Sequence, residues 1–85
     1  MKLPIIKHLS QFIEDNDVDY ITETIEVLES LTEVASLKEE EIDVLGELIS
    51  NLYGAIEVNK MIKNGTEKKE ALNLFMQRVL GSIDK

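Results

Sequence analysis

From Ile42 onward, apolar side chains recur three and four residues apart, at Ile42, Leu45, Ile49, Leu52 and Ile56, with Leu48 and Ala55 beside them. This spacing matches 3.6 residues per turn and not the alternation of a strand, so a long helix is the element around which the chain must be built. Ser36 followed by Glu39 has the pattern of a capping box. Glu40, Glu41 and Asp43 add negative charge where the helix dipole favours it, so the helix should start there. Ile49 falls in the middle of the stripe and is expected at the centre of the core. The pattern then slips: Val58, Met61 and Ile62 lie on a rotated face and Lys60 stands where an apolar residue is due. A bend or break between Gly54 and Lys60 is therefore expected. Asn64-Gly65 can stop the helix through a residue that takes the left-handed conformation.

The remaining segments repeat the helical spacing. Pro4 is pre-set for a first turn, and Ile5, Ile6, Leu9, Phe12 and Ile13 share a stripe, predicting a helix from about Pro4 to Asp15. Asp17 or Asp19 can cap a second helix, with Val18, Ile21, Ile25 and Leu28 at helical spacing. Tyr20, Val27, Leu31 and Val34 widen its apolar face to about half the circumference. Thr66 can cap a fourth, in which Ala71, Leu72, Phe75, Met76, Val79, Leu80 and Ile83 share a side and Leu74 faces away. One proline and four glycines are too little turn chemistry for a β-sandwich or barrel, and 85 residues are too few for two cores. The expectation is a single all-α domain over residues 1–85, a compact array or bundle of about four helices. The third is long and central, with a bend near Gly54.

The chemistry such a chain can support is narrow. Seventeen acidic against nine basic side chains give a net charge of −8, which disfavours nucleic acid and anionic membrane surfaces as partners. With no cysteine there is no disulfide, thiol nucleophile or zinc knuckle. No run of about 18 apolar residues is present, and a cytoplasmic location is the default. Charge is divided along the chain: residues 1–57 hold 14 acids and 3 bases, net −11, and residues 58–85 hold 3 acids and 6 bases, net +3. The basic last helix is expected to lie beside the acidic second and third helices, or to pair with those of another copy.

Asp15 to Glu26 places carboxylates at positions one, three, five and twelve of a calcium-loop template. Tyr20 stands where the template needs glycine, however, and Ile21, Ile25 and Leu28 require helix. His8 is the only histidine and reads as a residue at the edge of an apolar stripe. Glu39, Glu40, Glu41, Asp43 and Glu47 read as a solvated helix face, since catalytic carboxylates need environments that separate their pKa values. The glycines at 46, 54, 65 and 81 are isolated, so no phosphate-cradling loop exists. Gly46, Ser50 and Gly54 form a small-residue ridge suited to one close helix crossing. Lys60, Lys63, Lys68 and Lys69 cluster without interleaved aromatics and read as a solvated turn. No catalytic, cofactor-binding or metal-ligating residue is assigned, no cofactor is expected, and the chain is not expected to be an enzyme.

The opening MKLPIIKHLSQFIE and the stretch ELISNLYGAIEVNKMIKNGTEKKEALNLFMQRVLGSID resemble a family of short helical bacterial proteins, a domain of unknown function. The resemblance covers nearly the whole chain and implies bacterial origin, cytoplasmic residence and a helical fold. It brings no functional residues with it.

Apolar helix faces and a divided charge both serve association, so the leading expectation is a non-enzymatic protein–protein interaction module that self-associates as a homodimer. The alternative is a small-ligand or metal-binding helical protein. It would need a pocket with convergent polar groups, for which Tyr20, Tyr53, His8 and Asn59 are the unusual candidates. Because the Asp15–Glu26 stretch is predicted helical, millimolar calcium should leave the melting temperature unchanged. A saturable upward shift abolished by Asp17→Ala would overturn that reading.

Overall fold

The computed structural model describes residues 3–83, with side chains through Val79; Leu80 and Ile83, expected on the buried side of the last helix, lie outside the described side chains. Four α-helices follow in order: α1 (Leu3–Asp15), α2 (Val18–Leu31), α3 (Glu39–Lys63) and α4 (Lys68–Ile83). No strand occurs among the described residues, and no helix there is long and apolar enough to cross a membrane.

Local side-chain chemistry sets the joints. Asp17, with an extended backbone, accepts the Asp19 N–H at 3.0 Å and is the N-cap of α2, which decides between the two candidate aspartates. α2 ends at Leu31, where the Thr32 hydroxyl donates to the Glu29 carbonyl at 2.6 Å. Val34, expected to extend the α2 face, therefore lies in the connection. α3 starts two residues later than the Ser36–Glu39 pattern implies. Lys38 is the N-cap, and the Glu41 carboxylate accepts its N–H at 2.9 Å, the half of a capping box that an N-cap lysine can make.

α3 then runs unbroken to Lys63, so the break expected between Gly54 and Lys60 is absent. It ends in a Schellman motif. Gly65 takes φ +103°, its N–H reaches the Ile62 carbonyl at 3.0 Å, and the Thr66 N–H reaches that of Met61 at 3.0 Å. That bond holds Thr66 in the α3 terminus. α4 instead opens on Glu67, whose carbonyl accepts the Ala71 N–H at 2.8 Å, so Thr66 is not its cap.

At 25 residues α3 is roughly 37 Å long, nearly twice α1, and all three other helices pack on it. Two apolar clusters form. One joins Ile6 of α1, Val58 of α3 and Ala71, Leu72 and Phe75 of α4. The other joins Ile13 of α1, Ile21 and Ile25 of α2, and Leu52 and Ala55 of α3.

The face α3 buries overlaps the expected stripe only at Leu52 and Ala55. It consists of Asn51, Leu52, Gly54, Ala55, Val58 and Asn59; Ile49 and Ile56 are half-buried beside the second cluster, and Ile42 is exposed. Of the rotated residues, Val58 is fully buried and Met61 and Ile62 pack half-buried against the first cluster. Burial on α2 is likewise confined to Ile21 and Ile25, with Tyr20, Val27 and Leu31 left in solvent.

Gly54 is the closest crossing. A Cβ there would stand 3.0 Å from Cζ of Phe75 and 3.2 Å from Cδ1 of Ile6, whereas one at Gly46 would meet nothing within 4 Å. The small-residue ridge thus serves packing at one end only. Gly46→Ala should stabilise the fold by about 0.5–1 kcal/mol through helix propensity alone. Gly54→Ala should destabilise it, because overpacking of about 1–3 kcal/mol exceeds the same propensity gain. Chemical denaturation of both variants checks this, and two shifts of the same sign would refute the assignment of the crossing.

Candidate docking surface and polar cavity

The mismatch in helix length leaves one end of the molecule incomplete. Every buried residue of α3 lies between Asn51 and Asn59, so the stretch from Glu39 to Ser50 buries none. Its side chains are not correspondingly polar: Val44 is 57% exposed and Leu48 41%. Leu31 from the end of α2, Leu37 from the connection, and Val44 and Leu45 of α3 line an open groove of about 440 Å³, flanked by Glu40 and Glu41. Leu48 continues this face one turn on, since residues three and four apart share a helix side. Residues 26–48 carry eight acids and one base, a net charge of −7, so the groove is apolar inside and acidic around.

At the other end of α3 is a cavity of a different kind, about 410 Å³, where the α1–α2 joint meets the last turns of α3. Ile13, Val18 and Ile62 supply aliphatic walls, and Glu14, Asn16, Asp17, Asn59 and Lys63 supply polar groups. Asn59 is only 5% exposed, yet its side chain makes no hydrogen bond among the described residues. The other buried asparagine, Asn51, differs in this respect, because its Nδ2 donates to the Glu47 carbonyl at 2.9 Å.

The remaining candidates are scattered. His8 is exposed on α1. Tyr20 is exposed and stands edge-on to Phe12, with ring centroids 5.9 Å apart, and Tyr53 borders a separate shallow groove with Lys60 and Arg78. Of the four residues considered for a ligand pocket, Asn59 alone lines the polar cavity. The Asp15–Glu26 stretch is the end of α1, a two-residue joint and the first part of α2, with Asp17 engaged as a cap. No group of three or more His, Asp or Glu side chains is placed to hold a metal among the described residues. The acidic row from Glu39 to Glu47 is exposed.

The lysine cluster disperses. Lys68 reaches Glu14 at 3.6 Å and Gln11 at 2.7 Å, Lys63 lines the polar cavity, and Lys69 lies with Lys7 in another hollow. Arg78 pairs with Glu57 at 3.0 Å and sits 5.6 Å from the centroid of the Phe75 ring. The basic last helix therefore pairs within the molecule, but with α1 and α3 rather than with α2.

Sequence reasoning missed Glu14, Asn16 and Lys63 as cavity residues, and Leu37 and Val44 as groove residues. Neither set stands on an apolar stripe or in a motif, so periodicity had no signal for them.

Residues 1–84 match a family of unknown function, DUF6952, and the chain belongs to it. No curated protein and no solved structure matches the chain.

Ser10, fully buried in α1, is the one hydroxyl that invites a catalytic reading, because its Oγ has no hydrogen-bond partner. A nucleophilic serine needs a base within hydrogen-bonding reach, and Oγ contacts none. Ser10→Ala should therefore raise stability by about 1 kcal/mol, by removing an unpaired buried hydroxyl and improving helix propensity. A loss of stability in urea unfolding would show instead that the hydroxyl has a partner.

Proposed function

We propose that this chain is a non-enzymatic protein–protein interaction module that self-associates as a two-fold homodimer through the apolar end of α2 and α3. The observation that supports this most directly is the amino-terminal half of α3, which buries nothing yet carries Val44, Leu45 and Leu48 on one side, next to Leu31 and Leu37. A contiguous apolar patch on the order of several hundred Å² is of the size at which the largest patch on a monomer often serves as a contact surface. The occupant is a second copy, because a two-fold axis sets each uncovered half-helix against its equivalent and supplies each with the cover its own α1 is too short to give. A chain of this size has a small core of its own, and pairing is a common way to enlarge it.

Burial of the patch outweighs the charge repulsion, although association itself also costs about 4–15 kcal/mol in lost translational and rotational freedom. At about 25 cal/mol per Å², burying the patch from both copies yields a gross gain on the order of 10 kcal/mol or more. The opposing carboxylates are exposed, contribute a fraction of a kcal/mol per pair, and are screened beyond about 8 Å at physiological salt. The dimer should therefore tighten as salt is raised. A second reading places an amphipathic helix with lysine or arginine flanks in the same groove; the net charge of −7 favours it, and it requires the opposite salt response.

Sedimentation equilibrium tests the proposal. The expected result is twice the chain mass of 9.7 kDa at micromolar concentration, with the dimer fraction growing with salt. Leu48→Lys should yield a folded monomer with unchanged helical circular dichroism. A wild-type mass of one chain at every concentration and salt tested would overturn the dimer.

A further inference from the structure

We propose that the cavity between the α1–α2 joint and the end of α3 is a binding site for a small aliphatic α-amino acid, anchored by Asn59. The Asn59 amide has no hydrogen bond among the described residues and is not sealed from solvent, so a ligand in the cavity can reach it. Asn59 is 95% buried by its 5% exposure and lacks a partner among the described residues, although it lines a cavity of about 410 Å³. This volume is within the usual range for small-molecule sites. Its side chain offers one carbonyl acceptor and two N–H donors, enough to hold an acidic and a basic group of one ligand together.

The charges around Asn59 restrict what fits. Glu14 and Asp17 oppose an anion, and Lys63 opposes a simple cation, so a ligand that satisfies the site must carry both signs. An α-amino acid does so at pH 7. Its ammonium suits Glu14 and Asp17, its carboxylate suits Lys63, and an aliphatic side chain suits Ile13, Val18 and Ile62. Glu14 also pairs with Lys68 at 3.6 Å, and Asp17 accepts the Asp19 N–H with one oxygen, but a carboxylate has about four lone-pair sites and keeps acceptors free.

Asn59 lies fifteen residues beyond Val44, roughly 22 Å along α3, so this site is separate from the docking groove and does not depend on dimerisation. Because α1, α2 and α3 all contribute to its wall, a ligand there would bind the folded chain and not the unfolded one, and would raise its stability by mass action.

The experiment is a thermal-shift and calorimetric titration of the full chain with L-leucine and L-valine, alongside N-acetyl-leucine and leucine amide, which each lack one of the two charges. The expected result is a saturable rise in melting temperature with the free amino acids that is lost with both derivatives. Lys63→Gln, an exposed change that leaves the core intact, should weaken binding by about tenfold, as expected for one charge-assisted hydrogen bond. Asn59→Leu should abolish binding while leaving the unliganded protein folded. The absence of a saturable shift with leucine or valine, or a shift that Lys63→Gln leaves unchanged, would overturn the proposal and leave Asn59 to ordinary hydration.

Discussion

The approach of α1 and α4 to α3 at Gly54 is the contact on which the rest of the arrangement depends. Ile6 and Phe75 both close on the space where a side chain would be, at 3.2 and 3.0 Å from an ideal Cβ. Each of the three helices also carries a small, fully buried residue, Ser10 on α1, Ala55 on α3 and Ala71 on α4. With the backbones this close, Ile6 and Val58 reach Phe75 and Leu72 on one side, while Ile13 and Leu52 reach Ile21 and Ile25 on the other. The first cluster closes around this crossing, and dispersion at native packing density supplies much of the cohesion of both.

Electrostatics has a secondary part in holding the helices. The excess of acid in the first two-thirds of the chain and of base in the last third draws α4 inward, but the resulting contacts, Lys68–Glu14 and Arg78–Glu57, are half-exposed. Pairs of this kind contribute less than about 1 kcal/mol each. Their value is directional: they align α4 on α1 and α3 once the Gly54 crossing has fixed its distance. The acidic side chains without such partners collect around the start of α3, where the helix dipole tolerates them and where the uncovered groove lies.

The length of α3 turns this packing into two surfaces of unlike chemistry. Three helices compete for its carboxy-terminal half and none fully buries a residue of the first twelve, so the apolar excess appears at one end. At the other end, the α1–α2 joint forms a polar-lined hollow against Asn59 and Lys63. The molecule measures 44 × 35 × 17 Å, about two helices deep, so no third layer is available to cover either surface from within. Membership in a family of unknown function, DUF6952, assigns neither surface a task; the proposed association and the proposed amino-acid site rest on the residues that form them.

Four helices, the Gly65 stop and the outward position of Leu74 were legible in the sequence, because each follows from interactions within a few residues of chain, whereas the choice of Asp17 over Asp19 as cap came from the structure. The sequence did not determine which side of α3 is buried. Ile42, Ile49 and Ile56 form the more regular apolar stripe, yet the core takes Leu52, Ala55 and Val58 together with Asn51, Gly54 and Asn59, because the close crossing at Gly54 decides which side of α3 faces its neighbours. The continuity of α3 past Gly54 was hidden for the same reason: the rotated pattern of Val58, Met61 and Ile62 marks a change of packing partner, from α2 to α4, and not a change of backbone. The polar cavity was less legible still. Glu14, Asp17, Asn59 and Lys63 are far apart in the chain, and only the folding of the α1–α2 joint onto the end of α3 brings them around one space.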